Sequence, residues 1–187
     1  MPETFKRESK YGLTVLTTTD EGLLRYLDNV QSQVNEWLMT GHVQRLVVVV
    51  QGVDSGDTLE RWQFNVAVDP ADTIMTSTGG ENQVPNTVAT TTTAAKEKSV
   101  KDIHNEIQAI IRQITASVTF LPLLKESCTF DLLVYTDKNV VLPSEKWADS
   151  DPCYILNSAQ VKLRSFTTSV HQIDSMVAYK EAEDWEL

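Results

Sequence analysis

The sequence predicts an α+β domain in which helices pack on a mostly antiparallel β-sheet. Two stretches with the apolar spacing of amphipathic helices, near residues 20–41 and 99–124, accompany several runs of branched and aromatic residues that are typical of strands. The early strand runs are joined by a short turn, which favours antiparallel pairing. Because 187 residues suffice to bury one core without disulfides or metals, we expect a single domain over residues 1–187.

Composition excludes several classes of partner. The net charge is −10 at pH 7 and no basic stripe interrupts it, which argues against nucleic-acid binding. The sequence has no run of eighteen apolar residues and no apolar leader near Met1, so we expect no contact with a membrane. Cys128 and Cys153 lie in no C-x-x-C motif, and we expect both to be reduced thiols.

The first forty residues predict one helix and a lead-in. Residues 1–10 are polar and mixed in charge, so we expect a fraying terminus, and residues 11–19 predict a short strand or extended segment. Asp20 is suited to be the N-cap of a helix that ends before Gly41. The apolar positions of this helix recur at intervals of three and four: Leu23, Leu27, Val30, Val34, Trp37 and Leu38.

A hairpin is predicted next. Residues 43–50 contain an unbroken branched run that suits a central strand covered on both faces. Residues 54–57 form a turn in which Gly56 can adopt positive φ. The following strand alternates apolar and polar residues, which predicts that one face is buried: Trp62, Phe64, Val66 and Val68. Residues 70–95 contain few large apolar groups, and we expect a flexible, Thr-rich surface loop.

The second helix is predicted to nucleate the fold. Ser99, with Asp102 three residues later, resembles a capping box, and Pro122 prevents the helix from continuing. Its apolar stripe comprises Ile103, Ile107, Ile110, Ile111, Ile114 and Val118. Residues 128–135 predict a strand that is buried on most of both faces. We expect this helix to lie across the sheet.

The C-terminal third is predicted to be less regular. Residues 136–139 suggest a turn, residues 144–152 are polar around Trp147, and residues 161–170 and 175–179 are strand-like. No glycine follows Gly80, so positive-φ turns in this half require residues such as Asn139 or Asp174. Residues 181–187 are acidic and suit a solvated tail.

Catalytic motifs are absent from the sequence. His42, His104 and His171 are scattered, and no G-x-S-x-G, P-loop or G-x-G-x-x-G motif occurs. A small cysteine-dependent hydrolase using Cys128 or Cys153 remains an alternative, although neither thiol has a basic neighbour. We therefore expect no catalytic residue, metal or cofactor, and the residues favour a binding module.

Six strings resemble the spindle assembly checkpoint branch of the HORMA domain family. They are residues 59–64, 111–116, 119–124, 130–138, 163–168 and 175–180. The resemblance extends from Glu3 to Lys180 and is closer than that to the DNA-repair or meiotic-axis HORMA adaptors, which remain the alternative. Family members carry a further strand and helix before the segment matching Glu3. We therefore expect part of the second helix's stripe to be exposed and the chain to favour the closed one of the family's two topologies.

The resemblance implies a peptide clamp rather than an enzyme. In the family, the C-terminal segment, here residues 139–187 with the tail, is a mobile safety belt that wraps an extended peptide added to a sheet edge. The implied partners are the activator of the anaphase-promoting complex, a coiled-coil kinetochore anchor, a second copy of the chain, and an AAA+ ATPase with its adaptor. Sequestering the activator would delay anaphase. The implied location is nucleus and cytoplasm, with kinetochores in mitosis.

The resemblance also implies site residues. Peptide contacts are expected at Trp37, Phe130, Leu132, Tyr135, Trp147 and Tyr179, with plain core packing as the alternative for each. An open–closed dimer interface is expected at Arg112, Gln113, Phe120 and Arg164, with a solvated helical arginine as the alternative for Arg112. Candidate phosphorylation sites in the belt, where added negative charge would oppose closure, are Ser150, Ser158 and Ser175.

Overall fold

The computed structural model describes residues 4–68, 98–138, 140, 143, 147–168 and 170–181. Within these ranges the elements are β1 Phe5–Lys10, β2 Leu13–Thr18, α1 Glu21–Met39, β3 Val43–Gly52, β4 Thr58–Val68, α2 Val100–Ala116, β5 Cys128–Thr136, β6 Ser158–Lys162, β7 Phe166–Thr167 and β8 His171–Lys180. A 3₁₀ turn, Ser117–Thr119, extends α2. The predicted Thr-rich loop at 70–95 lies outside the described residues.

The main sheet confirms the predicted α+β class. Its strands run in the order β5-β3-β4-β8-β6, every neighbouring pair is antiparallel, and β7 pairs with β8. The branched run of β3 is flanked by β4 and β5, as predicted for a central strand, and Val47 and Val49 are fully buried. Among the described helices, none is long and apolar enough to cross a bilayer.

The N-terminal residues form a separate hairpin, which corrects the expectation of a fraying terminus. Strands β1 and β2 pair from Phe5 with Thr18 to Lys10 with Leu13. Tyr11 and Gly12 connect them with φ angles of 51° and 69°, the two positive values that a tight type I′ turn requires. The Gln108 side-chain amide donates a 2.7 Å hydrogen bond to the carbonyl of Tyr11, which ties the turn to α2.

Both helices begin at the predicted caps. The Asp20 carboxylate accepts a 2.7 Å hydrogen bond from the Leu23 N–H, and the Ser99 hydroxyl accepts one of 3.1 Å from the Asp102 N–H. The α2 stripe is only partly covered, since Ile110 alone among its six predicted members is buried. Val118 is 74% exposed, contrary to the prediction, because the change to 3₁₀ geometry at residue 117 turns it off the apolar stripe.

The face of β4 that is buried most deeply is the polar one. Arg61 and Gln63 are 5% and 9% exposed, whereas Trp62 and Phe64 are half-buried. The prediction that the apolar face alone is covered was therefore wrong. The register places Arg61 and Gln63 on the opposite side of the sheet from Trp62, and residues 152–154 cross over that side.

Two further expectations about the C-terminal half need correction. Strand β5 lies at a sheet edge with Phe130 43% exposed, so it is not buried on both faces. Residues 171–174, which separate the two stretches predicted to be strand-like, belong to β8. In the described part of this half, the positive-φ residues are Cys153 and Asn157 rather than Asp174, while Asn139 lies outside the described residues.

Candidate functional site

The outer edge of β5 pairs with no other strand in the part of the chain that the structure describes. Among the described strands, β5 pairs only with β3. The Leu132 N–H donates a 2.9 Å hydrogen bond to the side chain of Asp131, the preceding residue, so this N–H points away from β3. Because antiparallel strands alternate inward and outward backbone groups, Phe130, Leu132 and Val134 present their N–H and C=O groups at the free edge.

A groove of about 910 Å³ runs along this edge. It is lined by Tyr26, Asn29, Val30 and Trp37 of α1, by residues 131–136 of β5, and by residues 147–150 and 152. We call residues 147–155 the closing segment. Strand parity directs Leu132 and Val134 to the sheet face where α1 packs, and Leu133 and Tyr135 to the face that the closing segment covers. The groove is therefore walled on both sides of the strand edge.

Two tryptophans join the walls. Trp37 near the C-terminal end of α1 is 5% exposed, and its ring centroid lies 4.9 Å from that of Trp147 in the closing segment. Tilted aromatic pairs at such distances are stabilising beyond the area that they bury. The pair fastens the start of the closing segment to α1 at one end of the groove.

The structure brings four of the six predicted peptide-contact residues to the groove. Trp37, Leu132, Tyr135 and Trp147 line it. Phe130 lies on the same strand just beyond the lining and packs edge-on against Tyr26, with ring centroids 6.1 Å apart. Tyr179 does not reach the groove.

Tyr179 belongs to β8, which β3 and β4 separate from β5, and its ring packs near that of Phe120 at 6.3 Å. The assignment of Tyr179 to the peptide site is therefore corrected.

Sequence reasoning missed several lining residues. Tyr26 and Val30 share a helix face with Trp37, and this spacing in α1 was the available signal. Asp131 and Asp149 are acidic members of the lining, and the described lining residues include no lysine or arginine. Burial and the nearby Asp131 carboxylate raise the pKa of the Tyr26 phenol, so it remains a neutral hydroxyl at physiological pH.

Helix α2 holds the chain that follows the closing segment. The Glu106 carboxylate accepts a 2.9 Å hydrogen bond from the Thr167 N–H, and the Gln113 amide oxygen accepts one of 2.8 Å from the Arg164 N–H. These acceptors are seven residues apart and so share one helix face. Lys98 contacts both Glu106 and the Thr167 carbonyl. The connection from β6 to β7 is thus docked on α2 by side-chain acceptors.

The Glu106 contact predicts a pH dependence. Burial raises the pKa of Glu106, but Lys98 and the Thr167 N–H together lower it below its ordinary value of 4.5. A carboxyl with a depressed folded-state pKa stabilises the fold above its unfolded pKa, and this contribution disappears as the pH falls through the folded value. We expect Glu106→Gln to reduce the free energy of unfolding at pH 7 and to match the unmodified chain progressively as the pH drops below 4.5. Denaturant titrations across pH 3–7 measure this difference, and a difference independent of pH would contradict the assignment.

The predicted dimer residues lie around the C-terminal part of α2. Arg112 and Arg164 are exposed, and Phe120 is 42% exposed. Gln113 is half-buried, and its side-chain oxygen accepts a hydrogen bond from the Arg164 N–H. Gln113 and Arg164 are therefore adjacent, although they are far apart in sequence. Self-association through this surface stays a prediction.

The three candidate phosphorylation sites differ in access. Ser150 is exposed in the groove lining, and Ser158 is half-buried on β6. Ser175 is 2% exposed within β8, where it pairs with Phe64 of β4. A kinase cannot reach that hydroxyl in this topology, so the prediction for Ser175 is corrected.

The two cysteines do not form a reactive site. Both are free and half-buried. Burial and the carboxylates of Asp151 and Asp131 raise the pKa of the Cys153 thiol, which opposes formation of the nucleophilic thiolate. Within the described ranges, no group of three or more histidine, cysteine or acidic side chains is placed to hold a metal ion.

Comparison with known proteins identifies the fold. The HORMA domain profile matches residues 2–171. The chain is 52% identical over 183 residues to mitotic spindle assembly checkpoint protein MAD2A of Dictyostelium discoideum, covering 98% of this chain and 81% of that protein. It is 52% identical over 178 residues to human MAD2A, covering 95% of this chain and 78% of that protein.

Solved structures agree with this result. A chain of the crystal structure of the mitotic checkpoint complex superposes with a TM-score of 0.75 at 40% identity, covering 96% of this chain and 85% of that chain. Caenorhabditis elegans HTP-2 bound to a HIM-3 closure motif superposes with a TM-score of 0.64 at 12% identity, covering 95% and 78%, and shows the fold alone.

The chain belongs to the HORMA domain family. Within this family it is a MAD2-type spindle assembly checkpoint protein, and it is non-enzymatic. The cysteine-hydrolase alternative and the other HORMA adaptor classes are thereby set aside. Its role lies in the mitotic checkpoint of the cell cycle.

Proposed function

We propose that this protein traps an extended partner peptide as an added strand on the free edge of β5, under the closing segment. The observation that carries the proposal is the outward backbone edge of β5 facing a groove with a wall on either side. A strand added there pairs its main chain with the outward groups of Leu132 and Val134, which gives affinity with little dependence on sequence.

The lining defines the peptide. Residues 131–136 extend for roughly 20 Å at strand geometry, which is enough to pair a segment of about six residues. Leu132, Val134 and the two tryptophans favour aliphatic side chains in the peptide. Asp131 and Asp149 favour a basic residue, because their exposed carboxylates give the lining a negative charge that attracts a cation.

The route of the C-terminal residues supports a belt. From β5 the chain passes through the closing segment to β6 and β8, which pair at the other side of the sheet, beyond β4. The C-terminal residues therefore run from the β5 edge towards the opposite edge of the sheet, a route that would let them encircle a peptide lying on the β5 edge. Release requires these residues to leave the sheet, so we expect it to be slow. Pairing of β8 with β4, with the edge of β5 left free, supports the closed topology as the favoured one.

The relatives supply the proposed biology. A structural neighbour is a chain of the mitotic checkpoint complex, and the sequence relatives are spindle checkpoint proteins. We propose the activator of the anaphase-promoting complex and a coiled-coil kinetochore anchor as peptide donors, with self-association and AAA+ remodelling as further steps. Kinetochores in mitosis, with nucleus and cytoplasm otherwise, are the proposed locations.

Titration with a synthetic peptide tests the function. The peptide carries a basic residue, an aliphatic run and a downstream proline, and a scrambled version serves as its control. We expect co-elution on size exclusion and slow dissociation, both abolished by deletion from Val170 onward, which removes the buried strand β8. Deleting only residues 182–187 is the matched control and should leave release slow. Circular dichroism establishes that each variant is folded, and failure of the folded, unmodified chain to bind the peptide would refute the proposal.

A further inference from the structure

Arg61 is a buried cation held by the closing segment. It lies on β4 with 5% of its surface exposed. Its Nη1 donates to the Gln63 side-chain oxygen at 2.6 Å, its Nη2 to the Tyr135 hydroxyl at 3.3 Å, and its Nε to the Pro152 carbonyl at 3.2 Å. Its Cζ lies 4.9 Å from the centroid of the Tyr154 ring.

The burial of this guanidinium is unusual because no carboxylate of the described residues pairs with it. None of the ion pairs formed among the described residues includes Arg61. A buried charge is costly unless its donors are satisfied. Two of the groups that satisfy Arg61, the Pro152 carbonyl and the Tyr154 ring, come from a segment about ninety residues away in sequence. This set of contacts exists only while the closing segment lies on the sheet.

The same side chain connects the β5 edge of the groove to the wall that the closing segment forms. Tyr135 belongs to the β5 edge and Pro152 to the closing segment, and both line the groove. One guanidinium therefore fixes their separation, since its donors diverge from a rigid plane. Trp147 fastens the start of the closing segment to α1, whereas Arg61 fastens its middle to the sheet.

We propose that Arg61 is the positioning residue that latches the closing segment onto the sheet and so determines how long a trapped peptide remains bound. The inference rests on the proposed peptide-clamp function and adds to it the residue that sets the release rate. It assigns a purpose to the polar face of β4, which is buried more deeply than the apolar one.

Lysine is the informative replacement. Arg61→Lys retains the buried charge and most of the stem, but one ammonium cannot direct bonds to three acceptors in a plane and stacks less well on an aromatic ring. We expect peptide release to become about tenfold faster, because hydrogen bonds from charged donors are the strong ones in a covered site.

Arg45→Lys is the matched control, because Arg45 lies on the same face of the sheet as Arg61. Arg45 donates a 2.9 Å hydrogen bond to Asn65 and stacks on the Tyr135 ring, and these contacts include no residue of the closing segment. Its release rate should stay within about twofold of the unmodified value.

A second variant protects the test against a folding defect. Tyr154 is 65% exposed, so Tyr154→Leu removes the ring beneath Arg61 without opening the core. We expect release to become about threefold faster, as for a partly exposed cation–π contact. In the Arg61→Lys/Tyr154→Leu double variant the acceleration should be smaller than the product of the two single effects, since both remove one latch.

Hydrogen exchange separates the latch from the clamp. In the peptide-free chain, amides of residues 153–155 should exchange faster in Arg61→Lys than in Arg45→Lys. If folded Arg61→Lys has the same peptide release rate and the same amide exchange rates as the unmodified chain, the proposal that Arg61 is a latch is wrong. If Arg61→Lys does not fold, unchanged release from Tyr154→Leu overturns it. Absence of peptide capture by the unmodified chain would refute the proposed function instead, while the exchange comparison would still report on the latch.

Discussion

Replacing Leu132 with proline is expected to abolish peptide capture while the sheet stays folded. The Leu132 N–H points to the free edge of β5, where it donates to the neighbouring Asp131 side chain and also interacts with the Tyr26 phenol. Proline removes this donor without breaking a bond to β3, and it is tolerated at the solvent side of edge strands. A peptide strand loses that main-chain bond and meets the proline ring, so we expect affinity to fall by at least about a hundredfold.

Two control variants make this prediction specific. Leu132→Ala truncates the same side chain but keeps the N–H, and it should weaken capture much less than proline does. Leu133→Pro removes a donor that faces β3 and should unfold the sheet, which thermal melting detects. Size exclusion with the peptide and circular dichroism of each variant complete the measurement. Full affinity of a folded Leu132→Pro variant would show that the peptide does not pair with this edge.

Reversing the charge of Arg112 is expected to abolish self-association and leave peptide capture intact. Arg112 is exposed on α2 and does not line the groove. Arg112→Glu moves the net charge of an already acidic chain from −10 to −12, and it places the added negative charge at the proposed interface. We expect the dimer dissociation constant to rise by at least about a hundredfold, because like charges at the centre of an interface oppose association.

Lys101→Glu is the matched control for Arg112→Glu. Lys101 is exposed in the first turn of the same helix and undergoes the same change of charge far from the proposed interface. Sedimentation velocity should show a monomer only for the Arg112 variant, and both variants should bind peptide normally. Joint loss of self-association and peptide binding would indicate a folding defect instead. Arg112 is preferred to Gln113 for this test, because Gln113 also bonds the Arg164 N–H and its removal would loosen the docked β6–β7 connection.

These variants divide the molecule into separable parts. In the proposed mechanism, the edge of β5 pairs the peptide, Arg61 and Trp147 hold the closing segment over it, and the exposed end of α2 mediates self-association. The residues involved in each part contact different elements, so their effects on release and on self-association should be independent. Glu106 and Gln113 are the exceptions, since they dock the chain that follows the closing segment on α2.

The sequence by itself determined the local elements of this protein. Asp20 and Ser99 begin the two helices at the predicted positions, because a short polar side chain before an apolar stripe satisfies free N–H groups within one turn of chain. The branched run of β3 predicted a central strand for a similarly local reason. The long matching strings identified the family, and with it the groove residues Trp37, Leu132, Tyr135 and Trp147.

Only the tertiary structure decided which surfaces are covered. The alternation of apolar and polar residues assigns the side chains of β4 to two faces, but it does not show which face another segment covers. The burial of Arg61 therefore could not be predicted, because it depends on residues 152–154 crossing that face. Likewise, the apolar composition of β5 resembles that of a buried strand, yet its position at the sheet edge depends on the distant pairing of β8 with β4. Tyr179 is excluded from the groove for the same reason. Pairing order and belt path arise from contacts between residues far apart in the chain, and local propensity carries no information about them.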